Sequence, residues 1–178
     1  MRTSPADTQQ ALKRIEEIRE MALAVYDHFR SGYNESIYKE ALMVELRNAH
    51  IPYDRERYVT IEYKSLVVGT GIADIVVFPP GLLPIPIECK KADLNQDHRE
   101  QLRTYMKGVG DDCKHSILIC FPQPGKDEPE QPQALEFFWA RKESDGRVLF
   151  YKVDSDGKWI PDFRKKGEGR RTRKKTVT

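Results

Sequence analysis

Glu35, Asp74, Glu88 and Lys90 are the side chains of this sequence whose types, taken together, suit hydrolysis of a phosphodiester. Glu88 and Lys90 stand two residues apart at the end of an apolar run, Ile85–Lys90, so on a strand both project from one face. Cys89 points the other way, where a small apolar side chain suits a core, and its backbone carbonyl lies between the two charged groups. Asp74 interrupts an Ala-Ile-Val-Val-Phe run, where an acid is costly unless it has a partner, and on a neighbouring strand it brings a second carboxylate to the same edge. Two carboxylates and a carbonyl are hard oxygen ligands, suited to Mg²⁺ or Mn²⁺. A divalent ion lowers the pKa of its bound water and neutralises charge growing on a phosphate. A lysine beside that water orients it or stabilises the transition state. Glu35 is a further candidate, as a ligand through water.

Each of these positions also has an ordinary explanation. Glu-x-Lys on an exposed strand commonly faces solvent, and Asp74 can cap a turn near Gly71. An acid such as Glu35 in the first turn of a helix favours the macrodipole. His98, Gln101 and Tyr105 fall on one helical face and, alone, form a polar and aromatic surface stripe.

The elements that must hold these residues follow from periodicity. Ser4-Pro5 predicts a helix start, and Ala11, Ile15, Ile18, Ala22, Val25, Tyr26 and Phe29 recur at helical spacing up to about Arg30. Asn34 is the expected cap of a second helix that continues through Ile37, Tyr38, Ala41, Leu42, Val44 and Leu46 and is stopped by Ile51-Pro52. Residues 56–63 alternate as a strand with Val59, Ile61 and Tyr63 on one face, Lys64-Ser65 turns the chain, and a return leads through Gly69 and Gly71 into a strand at 72–78. Pro79-Pro80-Gly81 predicts a turn. Pro84 and Pro86 place the start of the 85–90 strand at an edge or leave it unpaired. Residues 97–108 read as a helix, 115–121 as a buried strand, and 122–133, with four prolines, as an exposed loop. A hairpin with aromatic faces, including Phe137, Trp139, Phe150 and Tyr151, spans 134–153. The order is that of an α/β protein with a mixed sheet flanked by helices.

The chain has 178 residues, 33% of them charged and 39% apolar. This predicts a soluble domain over 1–163, large enough for a real core, with a basic tail at 164–178. No apolar run approaches the roughly 20 residues of a membrane span, and no secretory leader is visible. Three cysteines without a CxxC pair predict a reducing, intracellular setting and no structural zinc. The tail holds Arg164, Lys165, Lys166, Arg170, Arg171, Arg173, Lys174 and Lys175 against Glu168, a charge of +7. For the chain's net +2, the rest must therefore sum to −5. Such a tail neutralises phosphates and gives salt-sensitive binding of any sequence. It also reads as a solvated disordered terminus or a nuclear-import signal. Lacking aromatic residues, it offers no base stacking.

Taken in order, Gly32-Tyr33-Asn34-Glu35-Ser36-Ile37-Tyr38, Asp74, Glu88-Cys89-Lys90 and Gln101-x-x-x-Tyr105 resemble the GxxExxY family, a branch of the PD-(D/E)xK nucleases. The likeness runs from about Phe29 to Phe121 and includes Tyr63, Val68-Gly69 and His98. It implies a restriction-endonuclease-like mixed sheet with helices on both faces, here with an added C-terminal hairpin and a disordered basic tail. It implies Asp74 and Glu88 as metal ligands, Lys90 as the catalytic lysine, Glu35 as an accessory acid, and Gln101 and Tyr105 as the pair that places the lysine or the nucleic acid. The chain departs from the family at Ile72, where relatives have Arg, at Cys89 within the Glu-x-Lys motif, and in its Pro-Pro-Gly-Leu-Leu-Pro insertion between Asp74 and Glu88.

Three functions follow as expectations. The first is a Mg²⁺- or Mn²⁺-dependent nuclease acting on DNA, with RNA left open. The second is a protein that binds or compacts DNA without cutting it, and the third a module that self-associates through the 134–153 hairpin. The intact acid, acid and lysine set favours the first, and the tail favours the first two. The tail would place the protein in a nucleus or nucleoid.

Overall fold

The computed structural model describes residues 5–91, 96–109, 113–123 and 134–162. The basic tail, Ser4 and most of the proline-rich loop lie outside them. The elements run α1 (Pro5–Phe29), α2 (Glu35–Asn48), β1 (Tyr53–Tyr63), β2 (Leu66–Val77), β3 (Ile85–Lys90), α3 (Gln96–Gly108), β4 (His115–Cys120), β5 (Glu136–Lys142), β6 (Val148–Val153) and β7 (Trp159–Pro161). The seven strands form one sheet in sequence order. Only β3 and β4 are parallel, and α3 makes the crossover that such a pair requires. This is the α/β mixed sheet that the order of elements predicted, in the restriction-endonuclease-like arrangement that the resemblance implied.

Helices cover both faces. The apolar stripe of α1 is buried as its spacing requires, and it meets α2 and the strand residues Ile75, Val77, Ile85, Ile87, Cys89, Ile117 and Ile119. On α2 only part of the apolar set turns inward. Tyr38, Leu42, Met43 and Leu46 are buried, whereas Ile37 and Val44 are exposed. Asn34 occupies the cap position of α2 without a side-chain hydrogen bond, so its expected capping role is not played. On the other face, Leu102 and Met106 of α3 pack on Leu118, Cys120, Phe138, Ala140 and Phe150. All three cysteines are free and buried: Cys89 lies on the α1/α2 side, Cys113 and Cys120 on the α3 side.

The β1–β2 hairpin turns at Lys64 and Ser65, which both adopt positive φ, 49° and 63°, as the twist of a two-residue hairpin demands. Of the expected inward face of β1, Val59 is buried but Ile61 and Tyr63 are exposed. The Pro-rich insertion is a loop closing the next hairpin, where Val77 pairs with Ile85. It therefore sits at the far end of β3 from Lys90, with the paired residues of the β2–β3 ladder between it and Asp74. β3 is central, not an edge strand. Pro86 is tolerated because pairing with β4 begins only at Ile87, so its missing N–H forfeits no ladder bond.

The aromatic side chains of the 134–153 hairpin belong mostly to the core, with Phe137, Trp139 and Phe150 buried. β7, which the sequence reading passed over, pairs with β6. Asp162, just beyond it, forms a buried ion pair with Arg99 of α3.

Candidate active site

β2 and β3 hold together at Val77–Ile85, Val76–Pro86 and Ile75–Ile87, and there the ladder stops. Strict continuation would set Asp74 opposite Glu88. Instead, the carboxylate of Asp74 takes the place of a strand carbonyl: its Oδ2 accepts the backbone N–H of Cys89 at 3.0 Å. The alternation of side chains also breaks at this residue. Ala73 packs with Val59, Val76 and Tyr105 on the α3 side, while Ile75 belongs to the α1/α2 side. Opposite the break on β1, Glu56 adopts a φ of +48°. The bend turns the Asp74 carboxylate out of the sheet, where Lys39 of α2 reaches its Oδ1 at 2.9 Å.

The same parting frees backbone of β3. Phe121 N donates to the carbonyl of Lys90 at 2.7 Å, so that carbonyl faces β4. Successive residues of a strand turn their N–H and C=O to opposite edges, and one residue's two groups share an edge. Both the N–H and the carbonyl of Cys89 therefore face the gap beside Asp74.

Glu88 is 1% exposed. Its Oε1 pairs with Lys90 Nζ at 2.5 Å, and its Oε2, also buried, has no hydrogen-bond partner. Burial, reinforced by the nearby Asp74 charge, pushes the Glu88 carboxyl up to about 7 despite the lysine. Burial alone would lower the ammonium of Lys90, but its hydrogen bond and charge attraction to Glu88 leave it above the usual lysine value. Glu35 opens α2 and its Oε2 accepts the N–H of Lys91 at 3.1 Å, tying the helix to the end of β3. Its Oε1 lies 3.8 Å from Lys39 Nζ. Burial lowers the His98 imidazole, helped by Lys90 and opposed by Glu35, which brings α3 to the same charge cluster.

Glu35, Asp74, Glu88 and Lys90 thus meet at one end of the β2–β3 pair. Gln101 and Tyr105 take a different place. Gln101 Nε2 donates to the Tyr105 hydroxyl at 2.7 Å, and Tyr105 is buried against Val59 and Gly71. A Cβ on Gly71 would approach the Tyr105 ring to 2.8 Å. No hydrogen bond joins this pair to Lys90 or the acids among the described residues; it docks α3 on the sheet beside them.

Two residues at the site, Gly71 and Lys39, stand outside the candidates that residue type and spacing single out; Gly71 reads as a loosening of the backbone. The available signal for Lys39 was its position four residues after Glu35, which brings two helical side chains onto one face.

A family model described as the PD-(D/E)XK nuclease superfamily matches residues 13–131. The chain belongs to the PD-(D/E)XK nuclease superfamily. No curated protein and no solved structure matches it. Members of this superfamily generally use divalent metal ions, and this donor set fits one. The unpartnered buried oxygen of Glu88, a second carboxylate and a free-facing carbonyl are hard ligands in a small space. Yet no three His, Cys, Asp or Glu side chains form a group that could hold a metal ion among the described residues; Lys39 and Lys90 are each paired with one of the carboxylates. No helix among them is long and apolar enough to cross a membrane.

Proposed function

We propose that this PD-(D/E)XK protein, of the GxxExxY branch, is a Mg²⁺- or Mn²⁺-dependent nuclease that hydrolyses DNA phosphodiester bonds. The observation that carries this reading is the buried Glu88 oxygen left without a partner beside the Lys90 ammonium. Asp74, Glu88 and the Cys89 carbonyl would hold the ion, with Glu35 reaching it through water. When bound, the ion supplies an acidified water and a counter-charge for the phosphate. Lys90 stays protonated and presents its charge where the pentavalent transition state gathers negative charge. Gln101 and Tyr105 fix α3, and with it His98, against the sheet edge. Arg164, Lys165, Lys166, Arg170, Arg171, Arg173, Lys174 and Lys175 would hold the polyanion by counterion release, acting in a nucleus or nucleoid.

The test is cleavage of single- and double-stranded DNA and RNA by the full chain with Mg²⁺, Mn²⁺ or EDTA. Metal-dependent cutting that disappears in Lys90→Ala and Glu88→Ala supports the nuclease. Cutting unchanged in Lys90→Ala sinks it.

A second reading has its own observation. Asp74 is neutralised by Lys39, and the acids do not converge, which favours a protein that binds or compacts DNA without cutting it. It requires salt-dependent, EDTA-insensitive binding that weakens, with a flatter salt slope, when residues 164–178 are removed.

A further inference from the structure

We infer that Lys39 is a resident cation that occupies the position between Glu35 and Asp74, so that the site takes a single divalent ion, on the Glu88 and Cys89 side. The inference rests on the metal-dependent reading above and deepens it. Lys39 Nζ stands 2.9 Å from Asp74 Oδ1 and 3.8 Å from Glu35 Oε1, so its ammonium already sits as the counter-charge between these two carboxylates. Its side chain is only 21% exposed, and its stem rises from the helix that also carries Glu35.

Counting donors leads to the same place. Asp74 gives one oxygen to Lys39 and the other to the Cys89 N–H. Glu35 gives one oxygen to the Lys91 N–H and turns the other toward Lys39. Among the described residues, the carboxylate oxygen of the cluster without a hydrogen-bond partner is Glu88 Oε2. One ion would find that oxygen and the Cys89 carbonyl, and could share Asp74 Oδ2, with Lys39 left in place, whereas a second would have to displace Lys39 from Asp74 Oδ1.

Charge decides in the same direction. With Glu88 ionised, as a metal ligand must be, three carboxylates, Glu35, Asp74 and Glu88, face two ammonium groups, Lys39 and Lys90, which leaves −1. One divalent ion brings the cluster to +1, and one phosphodiester brings it to neutrality. Two ions with both lysines in place would leave +3 in a partly buried site, where like charges repel strongly.

The experiment counts Mn²⁺ ions, by electron paramagnetic resonance and calorimetry, without reference to cleavage. The full-length wild-type chain should bind one ion. Lys39→Met keeps the apolar stem and removes the charge, and should bind two. Lys39→Arg keeps the charge and should bind one. Two ions in the wild type, or none, overturn the inference whether or not the Met variant folds. It is equally overturned if a folded Lys39→Met chain still binds one ion. The two readings fail separately. A chain that binds one ion in the wild type and two in Lys39→Met, but cuts nothing, keeps Lys39 in its role and loses the nuclease. A chain that cuts with two ions keeps the nuclease and loses this role for Lys39.

Discussion

Two carboxylate–lysine pairs lie at the end of β2 and β3, and they are built from the same chemistry to different ends. Asp74 and Lys39 form the satisfied pair: both carboxylate oxygens are engaged, one by the ammonium and one by the backbone. Glu88 and Lys90 form the unsatisfied pair, more deeply buried, with one oxygen unpartnered and the carboxyl pushed up to about 7. An acid given two donors is at rest. An acid sealed away with one donor keeps an unmet demand for a proton or a metal ion. The difference comes from the elements. Asp74 is turned out of the sheet at a break in strand pairing, where α2 can serve it, while Glu88 remains in the regular face of a central strand under α3.

The contrast can be broken most forcefully at Lys90. Lys90→Ala should lower metal-dependent hydrolysis by about 10²–10³-fold, the usual cost of one preorganised donor, measured by single-turnover cleavage. Lys39→Arg should retain most of the activity. Equal losses in the two variants would erase the distinction between the pairs.

Next comes the pH dependence of the metal-free protein. Because Glu88 holds its proton more tightly when folded, its contribution to stability is complete below pH about 4.5 and is lost as pH rises through about 7. The loss is at most about 3 kcal/mol. Glu88→Gln should remove that slope, as read from urea midpoints at pH 5 and pH 8 in EDTA. An unchanged slope would mean that another group titrates.

A smaller effect is expected at Gly71. Gly71→Ala presses a methyl on the Tyr105 ring and should cost about 1–3 kcal/mol, seen in the thermal midpoint, with loss of the Gln101–Tyr105 contact. Smallest is Lys39→Met without metal, about 1 kcal/mol for a pair still reached by solvent. Mn²⁺ should restore the thermal midpoint of that variant to the wild-type value. A larger metal-free loss would place Lys39 among the unsatisfied groups and merge the two pairs.

Much of this was legible in the residues. Asp74 was conspicuous because an acid in an apolar run needs a partner, and Glu88 with Lys90 because a period of two fixes a shared face. The helix of α1 and the buried strand β4 follow from pattern alone. What stayed hidden depends on contacts distant in sequence. Lys39 four residues after Glu35 looks like any surface pair until β2 bends toward it. Pro86 suggests an edge strand until the start of the β3–β4 ladder is known. Which apolar residues of α2 turn inward depends on how the helix packs against its neighbours, and Ile37 and Val44 stay exposed. β7 has three residues, too few for any periodicity.

The distribution of the cysteines has an experimental use. The sulfur of Cys89 lies beneath α1 and α2, those of Cys113 and Cys120 beneath α3. An alkylating reagent must wait for a layer to lift before it can react. Labelling of Cys89 therefore times the detachment of the first pair of helices, and labelling of Cys120 times that of the third. Two clocks, read on a single chain by mass spectrometry, would show which wall of the sheet opens first.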